Sequence, residues 1–365
     1  MQRIVLKVGT STLTNGTAQI NRQRMLELVQ QMARLYQKGH EVVLVTSGAM
    51  AAGRERLGFP DLGRSVPAKQ MLSAIGQGRL MHHYSQLFDL FEIVVGQILL
   101  TRDDLSDRAR YLNIRDTLST LLEHRIIPII NENDTTATHE IRVGDNDNLS
   151  ALVANLLEAD LLIILTDQPG LFTADPRKHA DAELVAEVKQ IDDETYALAG
   201  GAGSTVGTGG MVTKIQAAQL ASRSGVLTVI ASGKAPEVIQ RIAAGENVGT
   251  RFLPVTGSIE SRKRWMLAEK PHGRIHIDAG AARKLVKGGA SLLPVGITRV
   301  EGGFERGELV GVAGPDGRLI AHGLTSYSSR DVQRLCGVKS NRIGEILGYS
   351  YGDAVIHRNN LILLS

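Results

Sequence analysis

Over the first two-thirds of the chain, short β-branched and apolar runs alternate with longer stretches whose apolar residues recur every three or four positions. Runs at 4–8, 42–46, 93–100, 126–130, 161–166 and 226–231 predict strands, and stretches at 71–88, 111–123, 149–157 and 213–224 predict helices between them. The clearest helix follows Asn21, a suitable cap. Leu28, Val29, Met32, Leu35 and Tyr36 lie 3, 4, 7, 10 and 11 residues beyond Met25, and Gly39 ends the run. This alternation predicts an α/β fold built on an open, mostly parallel sheet sandwiched by helices. Ligands of such sheets bind beyond the carboxyl ends of the strands, so candidate chemistry is sought there.

Near residues 251–256 the rhythm changes. The charged string Glu260-Ser261-Arg262-Lys263-Arg264-Trp265 leads to a break at Pro271 and Gly273. Beyond it, strand-like pieces at 274–277, 309–312 and 319–323 come at close spacing, punctuated by Gly302-Gly303 and Gly314-Pro315-Asp316-Gly317. The pattern predicts a large domain at 1–256, a linker at 257–271, a small β-rich barrel at 272–352 and a carboxyl-terminal tail at 353–365. No repeat array or coiled-coil heptad runs through the sequence.

With 365 residues, 43% hydrophobic and 22% charged, the chain can bury sizeable cores, which excludes a disordered or tail-like protein. Lys and Arg number 41 against 38 Asp and Glu, a net charge of +3 that mildly favours anionic partners of substrate size. The single cysteine, Cys336, excludes an internal disulfide and a cysteine-ligated zinc, reads as a small buried residue, and points to the reducing cytoplasm. Apolar runs are too short for a signal-peptide core or a membrane span, so no membrane attachment is expected. The 39 glycines imply many turns and close backbone approaches, whereas 4% aromatic content offers little base-stacking surface. His82 and His83 are adjacent on a predicted helix and diverge instead of converging on a metal.

Four segments concentrate the chemistry, each after a predicted strand. Lys7-Val8-Gly9-Thr10-Ser11 sets a lysine ahead of a small-residue turn whose N–H groups can hold phosphate oxygens; an ordinary edge charge is the alternative. Its lysine precedes the glycine, unlike a Walker loop. Thr46-Ser47-Gly48-Ala49 is a second such turn, or simply the entry to a helix. Asn131-Glu132-Asn133-Asp134 and Gly144-Asp145-Asn146-Asp147-Asn148 crowd acids and amides into two predicted loops. That set suits a zwitterionic amino acid, with carboxylates for its ammonium and amide N–H groups for its carboxylate. Calcium and plain helix capping compete, although the second run is too short for an EF-hand and lacks its closing glutamate. From Gly200-Gly201-Ala202-Gly203 to Gly207-Thr208-Gly209-Gly210-Met211-Val212-Thr213-Lys214, a glycine-rich string enters a helix with a lysine in its first turn, as an anion site or a flexible linker would. Thr166-Asp167-Gln168-Pro169-Gly170 adds a nucleotide-edge candidate, or a turn.

In this order the segments resemble the amino acid kinase family. The likeness is carried by Val5-Leu6-Lys7-Val8-Gly9-Thr10-Ser11, Val45-Thr46-Ser47-Gly48-Ala49, Asn131-Glu132-Asn133-Asp134, Val143-Gly144-Asp145-Asn146-Asp147-Asn148-Leu149-Ser150, Gly170-Leu171-Phe172-Thr173-Ala174-Asp175-Pro176-Arg177 and the string ending at Lys214. Further on, Gly288-Gly289-Ala290-Ser291-Leu292-Leu293-Pro294 and Arg306-Gly307-Glu308-Leu309-Val310 resemble a PUA domain. The resemblance implies transfer of a phosphoryl group from ATP, with Mg2+ on its phosphates, to the side-chain carboxylate of L-glutamate, the opening step of proline biosynthesis. It implies that Lys7 and Lys214 flank the transferring group and that Asp147 orients them. Ser47, Asp134 and Asn146 would hold glutamate, with Asn131 and Asp145 nearby. ATP would fall to Lys7, Gly9, Thr10, Thr166, Asp167, Thr208, Gly209, Gly210, Met211, Val212, Thr213 and Lys214.

Competing activities follow from the same residues. An N-acetylated glutamate would leave Asp134 and Asp145 facing an uncharged amide, which satisfies them poorly. Kinases of aspartate usually append ACT domains, where this chain resembles a PUA domain. RNA binding, through that domain and the basic patch Arg262, Lys263, Arg264 and Trp265, is the alternative of another class; a solvated linker is its plain counterpart. The resemblance also implies a homo-oligomer, dimer or tetramer, and feedback inhibition by proline.

Overall fold

The computed structural model describes residues 1–63, 65–137, 145–200, 210–255 and 269–364. It divides into two compact units, Met1–Thr256 and Gly257–Ser365. In the first, eight strands form one sheet: β1 Arg3–Val8, β2 Glu41–Thr46, β3 Val95–Leu100, β4 Ile127–Glu132, β5 Leu161–Thr166, β6 Glu187–Val188, β7 Leu227–Ser232 and β8 Thr250–Phe252. Their order is β3-β4-β2-β1-β5-β7-β8-β6; β8 runs antiparallel to β7 and the other neighbours pair in parallel. Apart from Lys7 in β1, the central strands read as nearly continuous apolar runs because both faces are covered.

Helices α1 Thr10–Thr14, α2 Arg22–Gln37, α3 Ala49–Arg56, α4 Val66–Asp89, α5 Arg102–Ser106, α6 Arg108–Glu123, α7 Asp145–Leu156, α8 Asp193–Leu198, α9 Met211–Ser222 and α10 Val238–Ala243 fill the connections. Asn21 caps α2 as its sequence suggests, accepting from the Arg24 N–H at 2.9 Å. On one face Ile4, Leu6 and Val8 pack with Leu28 and Met32 of α2, Leu80 of α4 and Ile239 of α10. On the other, Val5 packs with Leu118 of α6, Val153 of α7 and Ile215 of α9. Successive side chains alternate across a strand, so Lys7 shares its face with Val5 and emerges toward α7 and α9. That parity decides where the first lysine can act.

Three sequence expectations need correction. Residues 145–148 are not loop: they form the first turn of α7, which begins four residues before the predicted start. Acidic and amide side chains suit that position, where the exposed N–H groups and the helix dipole favour them. The second correction concerns the tail. Strand β13 Leu361–Leu363 pairs antiparallel with β12 Leu319–Leu324, and Val355 and Ile356 are buried core residues, so the segment at 353–365 is part of the second unit's body. With β9 Gly273–Ile277, β10 Ile297–Glu301 and β11 Leu309–Ala313 these strands form a five-stranded sheet ordered β10-β9-β11-β12-β13. Cys336 is half-buried there, not fully enclosed. Residues 257–268 of the expected linker lie outside the described residues. No helix among the described residues is long and apolar enough to cross a membrane.

Candidate active site

Small side chains let α7 and α9 pack closely: Ala151, Ala154, Ala217, Ala218 and Ala221 are all fully buried in one cluster. The first turns of these helices carry Asp147 and Lys214 to the face on which Lys7 emerges. Lys7 Nζ lies 2.6 Å from Asp147 Oδ1, and Lys214 Nζ lies 3.2 Å from Asp147 Oδ2. Thr213 Oγ1 donates to the same Oδ2 at 2.7 Å. Exposure is 5% for Lys7, 0% for Asp147 and 6% for Lys214, so three charges are withdrawn from water together.

Burial lowers the Lys7 pKa; the attraction of Asp147 opposes the shift and the nearby Lys214 ammonium adds to it. Burial alone would raise the Asp147 pKa, but both ammonium groups and the hydrogen bonds from Lys7 and Thr213 outweigh it and hold the carboxyl below its usual range. Two cations against one anion leave a buried positive charge, a costly state until an anion arrives. Gly9 keeps the approach open, since a Cβ there would sit 3.3 Å from Lys7 Nζ.

One residue before Asp147, Asn146 starts a chain of amides. Its Nδ2 donates to Ser47 Oγ at 3.0 Å and to Asn131 Oδ1 at 3.1 Å. Asn131 Oδ1 also accepts from the Glu132 N–H at 2.9 Å, while Asn131 Nδ2 donates to Gln77 Oε1 at 2.8 Å. A backbone N–H can only donate, so the Glu132 contact determines which end of the Asn131 amide is oxygen, and the orientation of its partners follows. Ser47 therefore accepts from Asn146 and keeps its own hydroxyl hydrogen for another acceptor. The sequence alone did not single out Gln77. Its signal was Gly76 inside a helical pattern, a departure that marks close packing. A Cβ on Gly76 would fall 1.7 Å from Ala49 O, so α3 and α4 touch backbone to backbone beside Gln77.

Thr166 and Asp167 join each other at the end of β5, Oγ1 to Oδ1 at 3.0 Å, and Leu165 pairs in register with Val8 of β1. Thr10 opens α1 and is exposed. Gly210, with extended backbone, caps α9, whose first turn holds Met211 and Val212 half-buried. Asp134 is half-buried in the turn after β4. Asp145 opens α7, but its side chain lies outside what is described, as do Thr208 and Gly209. The structure thus brings Lys7, Asp147, Thr213 and Lys214 into one cluster and Ser47, Asn131 and Asn146 into a second, joined through the first turn of α7. No group of three or more His, Cys, Asp or Glu among the described residues is arranged to hold a metal.

Residues 2–232 match the model of the amino acid kinase family. The chain belongs to the amino acid kinase family. Residues 273–347 match the PUA domain. A protein of Herpetosiphon aurantiacus named glutamate 5-kinase is 56% identical to this amino acid kinase over 361 residues, 99% of this chain and 98% of its own. One of the same name from Deinococcus radiodurans is 53% identical over 362 residues, covering 99% of this chain and 100% of its own. Among solved structures, carbamate kinase from Giardia lamblia bound to AMP-PNP aligns with a TM-score of 0.51 and 19% identity over 70% of this chain and 99% of that one, a likeness of fold. As an amino acid kinase the chain uses ATP.

Proposed function

We propose that this chain transfers the terminal phosphoryl group of ATP to the side-chain carboxylate of L-glutamate, yielding L-glutamyl 5-phosphate and ADP, the first step of proline biosynthesis. The observation that carries the reading is the buried pair of lysines on Asp147, an excess positive charge where a phosphoryl group would pass. A side-chain carboxyl ionises near pH 4.3, so at neutral pH the nucleophile needs no general base. Alignment and charge stabilisation remain as the catalytic work. In this reading Lys7 and Lys214 offset the charge developing on the phosphoryl oxygens, and Asp147, which accepts from Thr213, orients both lysines. The Ser47 hydroxyl and the amides of Asn131 and Asn146 orient glutamate, with Asp134 and Asp145 taking its ammonium. Gly9, Thr10, Thr166, Asp167 and the 208–214 segment hold the nucleotide.

Both Asp147 oxygens already receive ammonium or hydroxyl donors, so a divalent cation, magnesium in our reading, would be held chiefly by the nucleotide's phosphates. Its contribution is further neutralisation of phosphate charge. The same reading includes a dimer or tetramer, inhibition by proline and residence in the cytoplasm.

The test is hydroxylamine trapping of the acyl phosphate, with ATP and each of glutamate, N-acetylglutamate and aspartate. Glutamate should exceed N-acetylglutamate at least about tenfold in kcat/KM, roughly 1.4 kcal/mol. Equal turnover would overturn the substrate assignment.

A second partner is favoured by the PUA unit, and we propose RNA. Residues 257–365 hold 16 Lys and Arg against 10 Asp and Glu, and Arg306 lies 3.5 Å over the ring of Tyr351, an exposed aromatic next to exposed Tyr349. The basic patch at 262–265 lies outside the described residues. Filter binding that weakens steeply with salt is expected; retention of no RNA at low salt would remove this partner.

A further inference from the structure

Helix α4 presents one polar stripe to the segment that leaves β4. Gln70, Ser73 and Gln77 fall at spacings of three and four on one side of the helix. Gln70 Nε2 donates to Thr135 O at 3.5 Å and Gln77 Oε1 accepts from Asn131 Nδ2 at 2.8 Å. Ser73 Oγ, Gln77 Nε2 and Asn146 Oδ1 belong to the buried polar atoms that have no hydrogen-bond partner among the described residues, a set that also includes atoms elsewhere in the first unit. A buried polar group left without a partner carries a desolvation cost that a ligand can relieve. Two of these three atoms, Gln77 Nε2 and Asn146 Oδ1, lie on the amide chain that ends on Ser47. An orphaned donor therefore stands at the Gln77 end and an orphaned acceptor at Asn146.

We propose that Gln77 is a positioning residue for the amino acid substrate, acting through Asn131 to set the donor and acceptor polarity of the site. The inference rests on the reading that this chain phosphorylates glutamate. Asn131 Nδ2 needs an acceptor, and Gln77 Oε1 supplies it. With that end held, Asn131 Oδ1 faces Asn146, and Asn146 must turn Nδ2 toward both Asn131 and Ser47. Asn146 Oδ1 is then left as an acceptor and Ser47 as a hydroxyl donor. That pair matches an ammonium and a carboxylate, the two charged groups of an α-amino acid. Without Gln77, Asn131 loses one of its three bonds and its amide can swing, and the chain beyond it loses its fixed sense. The backbone contact between α3 and α4 at Gly76 prevents α4 from drifting and so keeps Gln77 in reach.

The test compares Gln77→Met and Gln77→Ala, which remove the acceptor, with Gln77→Glu, which retains an oxygen for Asn131. Met has nearly the length of Gln and suits a helix, so a loss of fold in one variant leaves the other to be read. The acceptor-free variants should raise the glutamate KM about tenfold while the ATP KM moves less than about twofold, and Gln77→Glu should recover most of the loss. Combined with Asn131→Ala, Gln77→Met should add almost nothing to the KM of the single Asn131 variant. Wild-type hydroxamate formation is measured first. Absence of glutamate turnover there would remove the reading on which the inference stands. Normal turnover with a glutamate KM indifferent to Gln77→Met, or additive effects in the double variant, would overturn the inference alone.

Discussion

Gly9 and Lys7 share one small volume. A Cβ at position 9 would stand 3.3 Å from the Lys7 ammonium, which is itself held 2.6 Å from Asp147. The Gly9 backbone, at φ −80° and ψ 162°, is one that any residue adopts. Alanine there would add no backbone strain, and its effect should fall on the lysine head. Gly9→Ala should lower kcat about tenfold, since sub-ångström misplacement of a catalytic group is expensive, while leaving the melting temperature within about 2 °C. Steady-state kinetics and a thermal melt check this; an unchanged kcat would mean that the ammonium has room to spare.

Removing the charges of the cluster should give two distinct outcomes. Lys7→Ala or Lys214→Ala should each lower kcat by roughly a hundredfold or more, about 3 kcal/mol, as the loss of one preorganised donor does. Asp147→Ala removes the counter-charge of two buried ammonium groups, so it should depress kcat and also destabilise the fold by about 3–5 kcal/mol. Adding Lys7→Ala to Asp147→Ala should restore part of that stability without restoring activity. Denaturant melts beside kinetics decide it, and a double variant less stable than Asp147→Ala would refute the charge balance drawn from the geometry.

The lowered pKa of Lys7 gives a signed pH dependence. In the free enzyme Lys7 gives up its proton below the ordinary lysine range near 10.4, so kcat/KM should fall on an alkaline limb beneath that value. Bound phosphates favour the charged lysine, and the limb in kcat should lie at higher pH. Stability carries two opposite slopes. Because the folded Asp147 pKa is depressed, its contribution is fully present above the unfolded value near 3.9 and is lost as pH falls through the folded value. For Lys7 the penalty of burying the charge is present below its folded pKa and is relieved as pH rises toward the unfolded value. A single alkaline limb common to kcat and kcat/KM would contradict the assignment to Lys7.

How far this site was legible in the sequence depended on how local each signal was. Lys7 could be placed on its face from strand parity alone, because Val5 and Lys7 are two residues apart. The strand ends at Thr46 and Thr166 were likewise marked by apolar runs that stop at small or polar residues. The start of α7 was hidden, since Asp145, Asn146 and Asp147 have the composition of a loop, and of the three it is Asp147 that meets donors from β1 and α9. Gln77 lies 54 positions from Asn131, and no periodicity joins residues that meet only through the packing of α3 on α4. The segment at 353–365 looked like a tail because its strand is three residues long, too short to carry a pattern without its partner β12.

The two units should separate without loss of the chemistry. Among the described residues, the two core clusters of the first unit contain nothing beyond Phe252, and the core of the second begins at Ile275. Lys7, Ser47, Asn131, Asn146, Asp147 and Lys214 all belong to the first unit. A chain ending at residue 256 keeps every strand of the eight-stranded sheet and both lysines, and it gives up none of the apolar contacts that hold α7 against α9. Interfaces between domains of one chain commonly bury about 600–1,500 Å², and losing one need not unfold the partner. The truncated chain should therefore retain its circular dichroism and form hydroxamate from glutamate at a rate within about threefold of the full chain. Differences should appear in proline sensitivity, magnesium demand or self-association, each measurable on the same preparation. A truncated protein that is folded yet inactive would show that the PUA unit completes the active site, and the division of labour between the units would then have to be redrawn.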